Sequence, residues 1–157
     1  MSVSSLFLEK MSTLEALEDV TKKKTEYMNG IIYSLQNPSI FQLDEAVSCW
    51  RNKNYIILQL TDTDRMKIMD VAQTICVAKP PYNQDGKLFF GVKDLKNVAY
   101  WRESKELTTL DEVPMGKFTA KIKLELPRFT LYNTKLSFKL LLIDLMFYEN
   151  AVTACPF

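Results

Sequence analysis

With 157 residues, 47% of them hydrophobic and 25% charged, the chain can bury one real core and is too apolar to be intrinsically disordered. Twenty Lys and Arg stand against nineteen Asp and Glu, a formal +1, so bulk charge steers no partner and any electrostatic function must come from local placement. Histidine is absent, which removes the Ser-His-Asp and Cys-His nucleophile systems and the usual zinc sites.

In chain order, the opening MSVSSLFLEK has no positive n-region and too short an apolar run for a signal peptide. Residues 12–29 read as a helix. Ser12 and Glu15 have capping-box spacing, Leu14, Leu17 and Val20 form an apolar stripe, and Gly30 stands where a helix would end. Glu18–Lys22 and Asp19–Lys23 are favourably ordered i,i+4 pairs, so the Lys22-Lys23-Lys24 run suits a solvated last turn at the negative end of the helix dipole.

After Gly30 the period changes. Ile31–Leu35 is a short apolar run closed by the turn signal Asn37-Pro38. Residues 41–50 fit a helix through Leu43, Val47 and Trp50, or a strand over Ala46–Trp50. Tyr55–Leu60 reads as a strand. The polar TDTDR loop leads to Met66–Val77, read as another strand and stopped by Pro80-Pro81. Asp85-Gly86 signals a turn before strand Lys87–Val92, and Asn97–Arg102 is a further strand. Residues 103–116 read as a polar loop, with strands 117–126 and 135–148 closing the fold around a connection from Pro127 to Thr134.

This gives an N-terminal helix (12–29), six to eight strands over 31–148 and a short tail (149–157), with no α/β alternation, repeat or linker. A mainly β single domain follows, for which an OB-like antiparallel β-barrel, closed or partly open, is the economical architecture. An immunoglobulin-like sandwich would leave the helix unexplained. The longest apolar segment, Leu136–Tyr148, carries Lys139 and Asp144 and is too short to span a bilayer, so no membrane association is expected. Cys49, Cys76 and Cys155 are odd in number and widely spaced, which suits an intracellular reducing compartment, cytoplasm or nucleus, rather than a disulfide framework.

Enzyme signatures are missing. Gly30, Gly86, Gly91 and Gly116 make no phosphate-binding loop. Asp62, Asp64 and Asp70 could be assembled into a Mg²⁺ cluster, but Asp in a Thr-Asp-Thr-Asp stretch is explained by turn chemistry. Cys49 beside Trp50 reads as a small buried hydrophobe. No cofactor, metal or catalytic residue is expected.

The remaining signal is basic and aromatic. Phe118, Ala120, Ile122, Leu124 and Leu126 alternate with Thr119, Lys121, Lys123 and Glu125, which puts two lysines on the outer face of a strand. Arg128, Phe129 and Tyr132 follow, then Lys135 and Lys139, while Lys93, Lys96, Tyr100, Trp101 and Arg102 cluster upstream. Cations that track phosphates beside rings that accept unstacked bases suit single-stranded nucleic acid. Lysines on an outer strand face also keep a sheet soluble and blunt edge pairing, so both readings stay open. Tyr100 and Trp101 must point to opposite faces; bulk favours Trp101 for the core and Tyr100 for the surface.

The run GKLFFGVKDLKNVAYWR, followed by GKFTAKIKLELPRFTLYNTKLSFKLLLIDLMFY, resembles the closing half of OB-fold single-stranded DNA-binding proteins of DNA viruses and phages over residues 86–148. The resemblance implies a non-catalytic sheath for single-stranded DNA, or RNA, with little sequence preference, serving replication or recombination as a homo-oligomer alongside replication proteins. The positions it implicates are Tyr100, Arg102, Lys121, Lys123, Arg128 and Phe129, to which the local pattern adds Lys93, Lys96 and Tyr132. Phe157 echoes the aromatic ending of such proteins, although Glu149 alone is acidic nearby. The alternative is a non-enzymatic viral or structural module that assembles with protein. The distribution of charge separates the two: lysines converging with rings favour nucleic acid, and lysines scattered around the fold favour assembly.

Overall fold

The computed structural model describes residues 14–43 and 45–148. Residues 14–19 are helical (α1), and the chain then turns directly into strand β1 (Thr21–Tyr27), which pairs with β2 (Gly30–Gln42) as an antiparallel hairpin. The helix expected over 12–29 is therefore largely a hairpin; Ser12 lies outside the described residues. Surface i,i+4 pairs contribute only about 0.2–0.5 kcal/mol each, and the stripe ends at Val20. Pairing instead places Thr25 opposite Ile32 and Thr21 opposite Leu35, where β-branched residues fit a pleated surface. Lys22, Lys23 and Lys24 are exposed on this strand rather than on a last helical turn, and Lys24 pairs with Glu18 at 3.4 Å. Gly30 does not cap a helix. It lies against the backbone of residue 131, where an added Cβ would stand 3.0 Å from the Leu131 carbonyl oxygen.

The Asn37-Pro38 turn signal is overridden, since β2 continues through it. Pro38 falls beyond the last β1 pair, Thr21 with Leu35, so its missing N–H removes no bond of that ladder. The ambiguous 41–50 segment resolves as the end of β2 followed by β3 (Val47–Arg51), which pairs with β4 (Tyr55–Gln59).

The largest departure is α2 (Asp62–Ile75), a helix where a polar loop and a strand are expected. Asp64 N–H donates to the Thr61 hydroxyl at 3.1 Å, so TDTDR is an N-cap and first turn, with Asp62 and Asp64 at the positive end of the dipole. Ile68 and Ala72 are its buried residues, four apart, which is the helical rather than the strand period.

Strand β5 (Lys87–Gly91) pairs with β4 despite the intervening helix. The expected turn before it is present: Asn83 Oδ1 accepts from the N–H groups of Asp85 and Lys87, and Gly86 takes φ 80°. A 3-10 turn (Val92–Leu95) leads to β6 (Ala99–Trp101). The expected loop 103–116 contains the short β7 (Leu107–Thr108) and a second 3-10 turn, Leu110–Glu112.

Strand β8 is the long one. It runs Gly116–Tyr132, through the Pro127 expected to begin a connection. It pairs with β10 (Leu141–Phe147) up to Glu125 and with β9 (Lys135–Phe138) from Phe129, and β2 and β3 pair with it as well. Pro127 sits between the β10 and β9 ladders, so its missing N–H removes no bond of either. The single closing strand expected over 135–148 is accordingly two strands, broken at 139–140.

The fold is mainly β, and the sheet does not close into a barrel. Its path runs β5-β4-β3-β8-β10-β6-β7, with β5 and β7 at its ends. Two compact units are distinguishable. The first takes the described residues up to 39 with 65–81 and 126–140, and the second takes 40–64, 82–125 and those from 141 on. In the first, Leu17, Tyr33, Leu35, Ile68, Leu126 and Phe129 are buried, with the Phe129 and Phe138 rings 5.9 Å apart. In the second, the core comprises Ile122 and Leu124, from the expected apolar side of their strand, with Cys49, Ile56, Leu58, Leu142, Leu145 and Phe147. Phe138 and Leu140 are buried in the first unit. Among the described residues, no helix is long and apolar enough to cross a membrane.

A candidate nucleic-acid interface

Strand register decides which side chains share a face. Directly opposite residues in paired strands lie on the same side. From β8 outward, Lys117 is opposite Trp50, Trp50 opposite Ile57, and Ile57 opposite Phe89. The next row is Thr119, Ser48, Gln59 and Lys87. In the other direction Lys121 is opposite Met146, which is opposite Trp101, and Lys123 is opposite Asp144. The buried residues of β8, from Phe118 to Leu126, alternate with these and occupy the other face.

The second unit therefore presents one sheet face with Lys117, Lys121 and Lys123 along its central strand. These span six residues, about 20 Å at 3.3–3.4 Å per residue. Rings flank the lysines on both sides. Trp50 and Tyr55 are each 44% exposed and Phe89 49%, large values for aromatic side chains on strands. Tyr55 and Phe89 meet edge to face, with centroids 6.1 Å apart and planes at 87°, and Gly91 opposite Tyr55 adds no side chain of its own. Both tryptophans of the chain, Trp50 and Trp101, lie on this face.

On the β10–β6 side the face deepens into a cleft of about 420 Å³ lined by Gln42, Trp101, Lys105, Lys121, Lys123, Asp144 and Met146. The Trp101 indole N–H donates to Asp144 Oδ1 at 3.1 Å, and Lys123 Nζ lies 3.7 Å from Asp144 Oδ2. Asp144 thus orients the indole and offsets part of the Lys123 charge. Among the described residues, no carboxylate pairs with Lys117 or Lys121.

The expected site residues divide. Lys121 and Lys123 stand as expected, on the outer face of β8. Tyr100 and Trp101 are exchanged: Tyr100 is 5% exposed and its hydroxyl donates to the Leu95 carbonyl at 3.4 Å. Tyr100 is opposite the fully buried Leu145, which fixes its side of the sheet and outweighs the argument from bulk. Burial raises its phenol to about 12. Phe129 is likewise a core residue rather than a stacking ring, packed on Phe138. Arg128 and Tyr132 belong to the first unit, with Tyr132 exposed before the Asn133-Thr134 turn. Arg102 is tied to Glu112 at 2.9 Å, while Lys93 and Lys96 line a different hollow, beside Thr108 and Thr109.

Trp50, Tyr55, Phe89, Lys87 and Lys117 are absent from the expected site. A signal for two of them is visible in the sequence. In KLFFG, Leu88 and Phe90 share one face, which leaves Phe89 on the other, and in VSCWR the same alternation separates Trp50 from Val47 and Cys49.

Two free thiols, Cys49 and Cys76, are buried, and burial raises them to about 12 and about 11. Neither has the electropositive, accessible surroundings of a reactive cysteine. Asp62 and Asp64 open α2 and Asp70 lies in its third turn; among the described residues, no group of three or more acidic or Cys side chains is placed to hold a metal ion. Comparison of the chain with protein-family models, curated proteins and solved structures found no match.

Proposed function

We propose that this protein binds single-stranded nucleic acid, DNA foremost, without catalysis and with little dependence on sequence along most of the site. The observation that carries the reading is the convergence of unpaired lysines with aromatic rings on one sheet face: Lys117 and Lys121 beside the exposed Trp50 and Phe89 and the half-buried Trp101. Lysines follow the phosphates, and every base has a π-face to lay on a ring, so such a surface needs no base-specific hydrogen bond. Local charge achieves this in a chain whose net charge is only +1. An OB-like relationship belongs to the same proposal, since OB folds are partly open barrels that use a strand face for single strands. Replication or recombination of viral or phage DNA, in a reducing intracellular compartment and as a homo-oligomer, is the setting the resemblance supplies.

Because the only two tryptophans lie on the face, intrinsic fluorescence reports directly on occupancy. Titration with oligo-dT should quench the tryptophan emission, and excess salt should restore it. An unchanged spectrum at low salt rejects the proposal. The apolar row of exposed Trp50, half-buried Ile57 and exposed Phe89, close to edge strand β5, also suits a protein partner. Concentration-dependent self-association without oligo-dT quenching is the outcome that selects this second reading.

A further inference from the structure

The cleft between β8, β10 and β6 differs chemically from the rest of the face. Elsewhere the surface offers rings and cations; here it also offers a carboxylate. Asp144 is a half-exposed side chain whose Oδ1 accepts from the Trp101 indole at 3.1 Å and whose Oδ2 lies 3.7 Å from Lys123. Each carboxylate oxygen has two acceptor positions; the indole takes one on Oδ1, and Lys123, an ion-pair partner beyond hydrogen-bond distance, fills none, so at least one remains on each oxygen. The indole bond restrains the carboxylate, and the acceptor positions left on its two oxygens can serve together as a pair. Gln42, Trp101, Lys105, Lys121 and Met146 line the same cleft. The volume, about 420 Å³, falls in the range of small-ligand sites.

We propose that this cleft takes a single extruded guanine, whose N1–H and N2–H donate side by side to Asp144 while the base lies against Trp101 and Met146 and the flanking phosphates reach Lys121 and Lys105. The inference rests on the nucleic-acid reading of the same face and adds a base preference at one position.

The selectivity follows from the Watson–Crick edges. Guanine alone presents two adjacent donors. Adenine and cytosine each set one amino donor beside a ring-nitrogen acceptor, which would face a carboxylate oxygen with a lone pair. Thymine and uracil set their single N–H between two carbonyls, which repel the carboxylate on both sides. Charged acceptors strengthen the correct pair and sharpen the rejection of the wrong ones. Sulfur and indole supply a polarizable platform for the ring.

The test compares three oligonucleotides of equal length by fluorescence anisotropy: all thymine, thymine with one central guanine, and thymine with one central inosine, which lacks the N2 amino group. A bidentate base contact predicts that guanine tightens binding by about 5- to 100-fold over all-thymine, with inosine intermediate. In Asp144→Asn, which has one donor and one acceptor in place of two acceptors, the guanine-to-thymine ratio should fall to about one. The wild-type oligonucleotide series requires no variant to fold. A wild-type ratio of one with oligo-dT binding intact overturns the guanine pocket and leaves the proposed function standing. Loss of binding to all three overturns both. A ratio that persists in Asp144→Asn overturns the assignment to this carboxylate.

Discussion

Arg51 gives a sharp test of how the second unit is held together. It ends β3, one residue after Trp50, and its Nη1 donates to the carbonyl oxygens of Leu110 at 2.7 Å and Val113 at 2.6 Å. It thereby ties the 3-10 turn Leu110–Glu112 to a strand nearly sixty residues earlier in the chain. Arg51→Met keeps the aliphatic stem and removes both donors. A hydrogen bond from a charged group contributes about 1.5–3 kcal/mol, so two give about 3–6 kcal/mol as an upper bound. Arg51 is part-buried and water can reach the freed carbonyls, which lowers the expected loss to about 2–4 kcal/mol. Urea unfolding followed by circular dichroism would show this as a lower midpoint with an unchanged slope. Arg51→Lys should recover less than half of the loss, because a compact ammonium lacks the guanidinium's fork. A midpoint for Arg51→Met equivalent to a loss below about 0.5 kcal/mol, the ordinary range for surface substitutions, would refute the reasoning.

Leu124 is fully buried on the inner side of β8, so Leu124→Ala should cost about 2–5 kcal/mol in the same assay, and an unchanged midpoint would mean that the strand's register is misassigned. Trp50→Ala and Phe89→Ala should each weaken oligo-dT binding by about 1–3 kcal/mol with little change in salt dependence, while Tyr100→Phe, a core position, should leave affinity unaltered. Burial raises Cys49 from 9.0 to about 12 and Tyr100 from 10.0 to about 12, so the folded state keeps protons that the unfolded chain gives up. Their contribution to stability is complete below about pH 9 and is lost as pH rises from there toward 12. Each group adds at most about 1.4 kcal/mol per pH unit to that loss, and a urea midpoint that stays flat to pH 11 would contradict it.

The outer strand pattern of residues 117–126 was legible because a two-residue period with one apolar side fixes both the strand and its buried face. Two elements were misread for a shared reason: local signals were weighed without the partner that decides them. The charge pairs over 18–23 favour a helix locally, yet Thr21 and Thr25 gain a whole strand of partners in the β1–β2 hairpin. The β-branched residues of 66–77 suggest a strand, yet Thr61 caps a helix on which Ile68 and Ala72 point inward. The site depended on the same missing information. Alternation shows that Tyr100 and Trp101 point opposite ways; only the pairing with Leu145 decides which is inside. Trp50 and Phe89 carry the right alternation, but β3, β4 and β5 assemble beside β8 through contacts that cross α2, a relation no local pattern encodes.

Salt dependence of oligo-dT binding tests the central claim most directly. On single strands each phosphate contact contributes a slope of about −0.7 in log affinity against log salt, and Lys117, Lys121 and Lys123 together predict about −2. The double variant Lys117→Ala with Lys121→Ala should flatten the wild-type slope by up to about 1.4 while tryptophan quenching at saturation persists. A wild-type protein without oligo-dT affinity at low salt, or a double variant with the wild-type slope, would contradict the assignment of this sheet face to nucleic acid.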